Sequence, residues 1–301
     1  MKKEDFLKKA LNTHGTKCVR RVSKWEQAVY DFITSLGIDA EHSNRELLDG
    51  REIDIYIPDC KIGIECDGLR WHNESHVPKN YHLDKTNICN ENGIRLVHIF
   101  EDEWVSNKEI WESMLKNILG IYGCLINADD CDVREVTPKE RRKFLKHNHI
   151  KGNVQSSYDA GLFYHGEIVS IMSFMKRNGD NETYELTRFC NKVGVNVIDG
   201  AKKLFEHFKN KNEEAQIISY SDKRYDNGEV LKTLGFEYIK DLRPDYTYVN
   251  NHERENKFKY RKSKLVKEGY NKDKTEHEIM LGRGIFRIYD CGTKVWKWKK
   301  R

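Results

Sequence analysis

The sequence predicts a mixed α/β protein of the α+β class with more than one domain. Its 301 residues exceed the size of a typical single domain. Stretches with the two-residue period of strands are interspersed with stretches that have the period of helices. Hydrophobic residues make up 38% of the chain and charged residues 34%, which favours globular domains over a disordered chain or a membrane protein.

The first zone, residues 1–122, predicts the element order α, β, β, α, β, α. Pro58 and Asp59 form a turn signal between two isoleucine-rich strands, and Gly93 ends the second helix. The predicted helices cover residues 23–36, 80–92 and 108–119, and the predicted strands cover 52–57, 61–67 and 95–100.

The second zone, residues 123–250, predicts another α+β unit. A hairpin of strands 161–164 and 167–174 begins it, and strands and helices follow. The later strands are predicted at 185–190, 216–221 and 246–249, with helices at 200–209 and 229–234.

The third zone, residues 251–301, is a basic and aromatic C-terminal region. It holds 16 Lys and Arg against 7 Asp and Glu, whereas the first 250 residues hold 37 against 41. We predict a helix cap at Thr275 and a hairpin around residues 290–292. The charge is typical of a phosphate-binding arm, and a solvated protein face would have the same composition.

The predicted hairpin at 52–67 brings carboxylates together. Isoleucines alternate with polar residues on both strands, so side-chain parity places Asp54, Glu65 and Asp67 on one face. A tight turn that pairs Ile57 with Cys60 would set Asp54 diagonal to Glu65. Converging carboxylates suit Mg²⁺, and the alternative is a solvated polar face.

This zone resembles the PD-(D/E)xK nuclease superfamily, with Asp54 followed by Glu65-Cys66-Asp67. Because Asp67 stands at the lysine position, the closer resemblance is to the very-short-patch-repair-like endonucleases and the phage homing endonucleases with an EDxHD signature. The residues that match this signature are Glu26, Asp54, His72 and Asp84. For the last position, His82 and Lys85 stay as alternatives on the same helix.

The resemblance implies a Mg²⁺-dependent or Mn²⁺-dependent, site-specific endonuclease of the homing type that cuts double-stranded DNA. It implies that Asp54 binds the metal directly, that Glu65 binds it through its carboxylate or its neighbouring carbonyl, and that Glu26 holds a metal-bound water. His72 would activate water or protonate the leaving oxygen. Glu26 is also typical of a helix first turn, and His72 of a surface loop. Trp71 is interpreted as a packing residue rather than a base-stacking wedge.

The second zone resembles the GNAT acyltransferase fold. Residues 197–201 stand at a helix start, where that family holds the pyrophosphate of acetyl-CoA on backbone amides, and residues 231–237 match a later helix end. Only Gly200 and Ala201 remain of the usual Gly-rich, basic run. Structural reuse of the fold is therefore favoured over acyl transfer.

Three alternatives to the homing endonuclease remain open. They are a mismatch- or lesion-directed nickase, an acyl-CoA-dependent transferase with a degenerate nuclease domain, and a DNA-binding protein that does not cut. The sequence also leaves open whether one subunit or a homodimer acts on the two strands.

The C-terminal region offers cations for DNA contact, interleaved with aromatic rings. A strand with its tryptophans inward and its lysines in water would give the same pattern at residues 296–299. The predicted DNA-contacting residues are Lys257, Lys259, Arg261, Lys262, Lys264, Lys297 and Lys299.

The expected location is the cytoplasm, that of a bacterial host if a phage encodes the chain. We find no apolar run of about 18 residues and no signal peptide, so no membrane partner is expected. The eight cysteines include no CxxC pair, which gives no indication of a zinc ribbon.

Overall fold

A computed structural model of the protein describes residues 22–177, 179 and 182–299. The first 21 residues of the predicted nuclease zone and the last two residues of the chain lie outside this range. Within it, every helix falls short of the length and apolar character needed to cross a bilayer. The mixed α/β class is confirmed, because helices accompany four separate sheets.

The first unit is a four-stranded sheet in the order β1-β2-β3-β4. Strands β1 to β3 are antiparallel, and β4 runs parallel to β3. The predicted strands and helices of this zone are confirmed, and β1 and α3 are additional elements. The elements are α1 (Lys24–Ser35), β1 (Glu41–Asn44), β2 (Ile53–Ile57), β3 (Ile62–Asp67), α2 (Tyr81–Glu91), β4 (Arg95–Phe100), α3 (Glu101–Ser106) and α4 (Lys108–Ile118).

The register of the β2–β3 hairpin differs by two residues from the predicted register. Ile57 pairs with Ile62 instead of Cys60, because Pro58–Cys60 form a 3-10 turn and Lys61 adopts the left-handed conformation with φ of 51°. A shift by an even number of residues keeps each side chain on its face. The predicted grouping of the three carboxylates therefore survives the error.

The hairpin is buried on both faces, whereas the sequence predicted one apolar and one polar face. Every residue of β2 and β3 is buried. Val29 of α1 and Trp111 of α4 pack with the isoleucines on one side. Helix α2 covers the other side through buried residues that include His82 and Lys85. The polar face of the hairpin therefore lies in the interior of the protein, between the sheet and α2.

The second unit is built on a seven-stranded sheet in the order β12-β16-β11-β9-β8-β7-β6. A separate two-stranded parallel sheet joins β10 to β5. Its elements are β5 (Cys124–Asn127), β6 (Asp132–Glu135), α5 (Pro138–Asn148), β7 (Tyr158–Tyr164), β8 (Glu167–Lys176), β9 (Thr183–Asn191), β10 (Val195–Ile198), α6 (Gly200–Lys211), β11 (Gln216–Asp222), α7 (Glu229–Thr233) and β12 (Glu237–Leu242).

The C-terminal region belongs partly to this second sheet, because β16 pairs with both β11 and β12. Residues between β12 and β16 add a three-stranded sheet in the order β14-β13-β15, which we call the insert sheet. The elements here are β13 (Tyr246–Asn250), β14 (Glu253–Asn256), α8 (Lys262–Lys267), α9 (Glu276–Gly282), β15 (Phe286–Tyr289) and β16 (Thr293–Trp298). The predicted hairpin at 290–292 is wrong, since β15 pairs with β13 instead. The predicted cap at Thr275 is confirmed as a capping box with Glu278.

The tryptophans of β16 face inward, as in the alternative interpretation of this segment. Trp296 is 2% exposed, and Trp298 packs against the same core. Lys297 lies on an interior strand, paired with Ile218 on one side and Glu237 on the other.

Candidate functional site

Four buried carboxylates surround the C-terminal half of β3. They belong to Glu26, Asp54, Glu65 and Asp67, and none is more than 3% exposed. All four act on the Cys66 thiol, because burial and then the negative charges of Asp54, Glu26, Glu65 and Asp67 raise its pKa well above the usual value. Buried negative charge of this density requires compensating cations.

Helix α1 fixes the position of Glu26 through its N-terminal cap. The Ser23 hydroxyl accepts a hydrogen bond from the Glu26 amide at 3.2 Å, and Glu26 Oε2 accepts one from the Ser23 amide at 3.4 Å. Glu26 is therefore the first-turn acid of the alternative interpretation, but it is also buried. Its Oε1 lies 4.0 Å from His42 Nδ1. The cap turns a carboxylate toward the sheet.

Asp54 and Glu65 are linked through the backbone of their two strands. The Cys66 amide donates to Asp54 Oδ2 at 2.8 Å, and the Asp54 amide donates to Glu65 Oε1 at 3.4 Å. Glu65 Oε2 forms an ion pair with Lys85 Nζ from α2. Burial would lower the pKa of Lys85, but the Glu65 carboxylate outweighs it and holds that pKa above its usual value. Lys85 is thus a protonated amine inside the site.

The predicted metal ligands Glu26, Asp54 and Glu65 do not form a three-ligand group within the described residues. Both oxygens of the Glu65 carboxylate contact donors, Lys85 and the Asp54 amide. Glu65 could then bind a metal only through its neighbouring carbonyl, the second option of the sequence prediction. The physical reason is that α2 delivers an ammonium group where the prediction placed an ion.

Asp67 is the centre of a second group, made of three histidines. Its Oδ1 lies 2.9 Å from His72 Nδ1 and 3.4 Å from His82 Nε2, and its Oδ2 lies 2.8 Å from His98 Nδ1. Burial alone would raise the pKa of Asp67, but the imidazoles of His82, His98 and His72 outweigh it and lower that pKa. Asp67 is therefore ionised at neutral pH.

Helix α2 corrects the assignment of the last acid in the signature. Asp84 is exposed, whereas His82 and Lys85 are buried toward the sheet. Successive helical residues point about 100° apart, so Asp84 cannot share the inward face of its neighbours. The two alternatives named from sequence, His82 and Lys85, are the ones that the structure brings into the site.

The sequence prediction missed His98 and did not select Asp67 as a site residue. His98 lies on β4, paired directly with Glu65 of β3. Complete burial lowers its pKa despite the attraction of Asp67. A lone histidine within the apolar run of residues 96–100 was the available signal, but only the parallel pairing of β3 with β4 gives it meaning.

The loop that carries His72 is anchored to the insert sheet. The Arg287 amide donates to Glu74 Oε1 at 2.8 Å, and the Glu74 amide donates to the Arg287 carbonyl at 2.8 Å. His277 Nε2 lies 2.9 Å from Glu74 Oε2. We call this set of contacts the Glu74 clamp. It fixes the loop from a segment two hundred residues away in sequence.

Trp71 is exposed, which contradicts its interpretation as a packing residue. Its side chain lies at the surface with 60% of the residue exposed, next to His72. Arg70 lies over the indole at 5.0 Å from the ring centroid, and His76 contacts its edge. The loop therefore presents an exposed aromatic ring and a cation next to His72.

The second unit supports the site through Arg224, at the end of β11. Its carbonyl accepts a hydrogen bond from the His98 amide at 2.8 Å. Its guanidinium forms ion pairs with Glu103 at 3.0 Å and Asp222 at 3.1 Å, and lies 4.9 Å from the centroid of Phe100. We call these contacts the Arg224 junction. It joins the seven-stranded sheet to the outer edge of β4.

The predicted DNA-contacting cations fall into two groups. Lys257 and Lys259 form ion pairs with Asp245 and Glu255, so part of their charge is neutralised within the protein. Arg261 lies over Phe258 at 4.4 Å. The exposed cations, which can meet phosphates, are Lys259, Arg261, Lys262, Lys264 and Lys299, whereas Lys257 and Lys297 are half-buried.

The segment that resembles a pyrophosphate-binding turn has an unusual setting. Asp199 is the N-cap of α6, with φ of 58°, and places a carboxylate at this helix start. The preceding residues form β10, which pairs with β5. A cavity of about 690 Å³ opens beside this point, between α4 and the start of α6. Negative charge and strand pairing both disfavour a phosphate here.

Comparisons with known proteins give structural similarity but no family. No protein-family model matches the chain, and no curated protein matches it. The homing endonuclease I-Bth0305I catalytic domain is 18% identical over 33% of this chain and 97% of its own, with a TM-score of 0.28.

Acetyltransferases are also among the similar solved structures. A Bacillus subtilis acetyltransferase in complex with CoA is 10% identical over 57% of this chain and 99% of its own, with a TM-score of 0.33. The Escherichia coli ribosomal-protein-S18-alanine N-acetyltransferase is 11% identical over 41% of this chain and 88% of its own, with a TM-score of 0.30. At these scores the similarities carry no argument about function.

Proposed function

We propose that the protein hydrolyses phosphodiester bonds of duplex DNA with a divalent cation, as a site-specific endonuclease of the homing type. The observation that carries the proposal is the interior group of four carboxylates, with Lys85 as the buried amine that faces it. Such a group stabilises a cation, and a cation neutralises the charge that develops on a phosphoryl group during hydrolysis.

Asp54 is the residue that would hold Mg²⁺ or Mn²⁺, because a carboxylate oxygen suits both ions. Its Oδ2 is oriented by the Cys66 amide at the end of the buried hairpin. The ion would supply charge neutralisation at the phosphoryl group. Lys85 adds a second fixed positive charge, and Glu26 contributes its carboxylate to the group from α1.

The experiment that tests the proposal is incubation of the full chain with a genomic or random DNA pool and Mg²⁺, followed by sequencing of the ends. Ends at recurrent sites, abolished by a chelator, are expected. Parallel assays on intact, nicked and mismatched duplexes separate a homing endonuclease from a mismatch- or lesion-directed nickase. Salt-dependent DNA binding without any cleavage would contradict the proposal.

Trp71→Ala is expected to weaken duplex binding and cleavage while leaving stability unchanged. The exposed indole can stack on a base by inserting at an opened base step of the duplex, and one such stacking contact contributes about 1–3 kcal/mol, equivalent to roughly 5-fold to 150-fold in affinity. Fluorescence anisotropy with labelled duplex measures the affinity. Tyr122→Ala removes another exposed ring, 49% exposed and outside the loop, and serves as the matched control. Equal affinities for the Trp71 variant and wild type would rule out stacking.

Acyl-CoA-dependent transfer is the second candidate, because β9 and β11 separate after only four paired residues and a gap between two strands can hold a ligand. They pair from Gln216 to Ser219, and then each continues beside a different neighbour. The gap is bridged by the segment after α5, since Arg188 donates to the Gly152 carbonyl at 3.2 Å and Lys151 pairs with Asp222 at 2.9 Å. This segment therefore lies across the two strands where they separate, which disfavours a ligand between them.

We therefore expect no acetyl-CoA binding at the second unit. Isothermal titration calorimetry of the full chain with acetyl-CoA and with CoA is the measurement. Saturable heat together with full cleavage by an Asp54→Ala variant would instead favour the transferase. If the wild-type protein gives a weak heat of binding, the titration should be repeated with Asp199→Ser, which removes the carboxylate from the start of α6.

A further inference from the structure

Three ligand atoms from three chain segments meet around one oxygen of Asp67. They are Asp67 Oδ1 from β3, His72 Nδ1 from the loop and His82 Nε2 from α2. Asp67 Oδ1 lies 2.9 Å from His72 Nδ1 and 3.4 Å from His82 Nε2. The two ring nitrogens are 3.1 Å apart.

These three separations match the spacing of ligands around one transition-metal ion. Zn²⁺ binds nitrogen and oxygen at about 2.0–2.2 Å in a tetrahedral arrangement, which sets neighbouring ligand atoms roughly 3.3 Å apart. The observed triangle of 2.9, 3.1 and 3.4 Å is close to this on every side. A position about 2 Å from all three atoms therefore exists.

The state of Asp67 independently indicates a missing partner. The residue is fully buried, and Oδ1 has no hydrogen-bond partner among the described residues, despite the two short contacts. A buried carboxylate oxygen left in this state lowers the stability of the fold. The other oxygen is held by His98, whose Nε2 lies 2.9 Å from Thr86 Oγ1. Outer partners of this kind orient the ligands of metal sites.

We infer that Asp67, His72 and His82 bind a divalent transition-metal ion of the zinc class. Two imidazoles in a set of three ligands favour such an ion over Mg²⁺, which takes oxygen ligands. Asp67 occupies the position where the resembling superfamily has lysine, so an ion here restores positive charge at that position. His72 then acts as a ligand through Nδ1, in place of the proton-transfer role implied by the resemblance.

The three ligands are nearest to solvent at His72. The His72 side chain is 13% exposed, whereas the Asp67 and His82 side chains are 0% and 2% exposed. The ion would reach the two buried ligands from the side of the loop. This inference goes beyond the proposed function, because it adds a second metal site beside the one at Asp54, and metal binding can be measured without DNA.

The test uses the full-length chain after removal of metal with a chelator. Titration with Zn²⁺ by calorimetry and with Co²⁺ by visible absorption is expected to show one equivalent bound, with cobalt ligand-field bands. His72→Gln is expected to weaken binding by about 100-fold or more and to abolish those bands. His76→Gln changes an exposed histidine of the same loop and is expected to bind like wild type.

A second variant guards against misfolding, and the outcomes separate this inference from the proposed function. Asp67→Asn keeps the size of the side chain, and circular dichroism verifies the fold of both variants. The inference is overturned if the wild-type protein binds neither Zn²⁺ nor Co²⁺, or if His72→Gln and Asp67→Asn bind these ions as tightly as wild type. Either result would count even if Mg²⁺ supports cleavage. Tight binding lost in both variants supports it, even if no DNA is cut.

Discussion

Asp54→Asn is expected to reduce DNA cleavage about a thousandfold, equivalent to about 4 kcal/mol of transition-state stabilisation. Asparagine keeps an oxygen that accepts the Cys66 amide, so the hairpin keeps its hydrogen bond. The variant loses the negative charge that holds the cation. Rates of plasmid cleavage under single-turnover conditions, at several Mg²⁺ concentrations, measure the effect.

The control for this prediction is Asp59→Asn, which removes the same charge from the exposed turn of the same hairpin. It is expected to cut like wild type within about twofold. Duplex affinity and thermal stability are expected to be close to wild type in both variants. Cleavage by Asp54→Asn at the wild-type rate would show that the buried carboxylates are structural and that the proposed function is wrong.

Arg224→Met is expected to lower the free energy of unfolding by about 3 kcal/mol at pH 7. Methionine retains much of the packing volume but leaves the buried Asp222 and the half-buried Glu103 without the guanidinium between them. Lys151 and Arg254 still contact these acids, which keeps the loss at the low end for a broken buried ion pair. Urea denaturation followed by fluorescence is the measurement. The exposed Arg243 gives the matched control, Arg243→Met, expected to stay within about 0.5 kcal/mol.

The Arg224 junction also predicts how this difference depends on pH. Burial alone would raise the pKa values of Asp222 and Glu103, but Arg224, with Lys151 and Arg254, outweighs it and lowers both. Lowered pKa values stabilise the fold above the pKa of the unfolded chain, about 4, and this contribution is lost as pH falls through the folded values. The difference in the free energy of unfolding between wild type and Arg224→Met should therefore become smaller below about pH 4. A difference in unfolding free energy that stays constant from pH 7 to pH 3 would contradict this role of Asp222 and Glu103.

Local patterns were sufficient to predict most elements of the first unit. Isoleucine alternation located β2 and β3, and the even register shift kept Asp54, Glu65 and Asp67 together. Strand β1 was missed because its sequence, residues 41–44, is polar throughout and owes its conformation to pairing with β2. Local periodicity carries no information about such a partner.

The parts of the site that the sequence did not predict depend on distant segments. Asp84 matched the signature by type, but helix geometry turned it outward and selected His82 and Lys85. His98 acquires its role only from the pairing of β4 with β3. The same holds for β16, whose partners in β11 begin more than 70 residues earlier. Side-chain type can be read from sequence, whereas these neighbours follow from topology.

The Glu74 clamp has a consequence for the chain as it leaves the ribosome. All four buried acids and all three histidines around Asp67 are translated by residue 98, so a nascent chain of that length already has the chemistry of the site. His277 and Arg287, which fasten the loop, emerge almost two hundred residues later. Domains fold as they are synthesised, at about 5–20 residues per second, so roughly ten to forty seconds separate the two events. An incomplete product therefore lacks the fastening that positions His72 and Trp71.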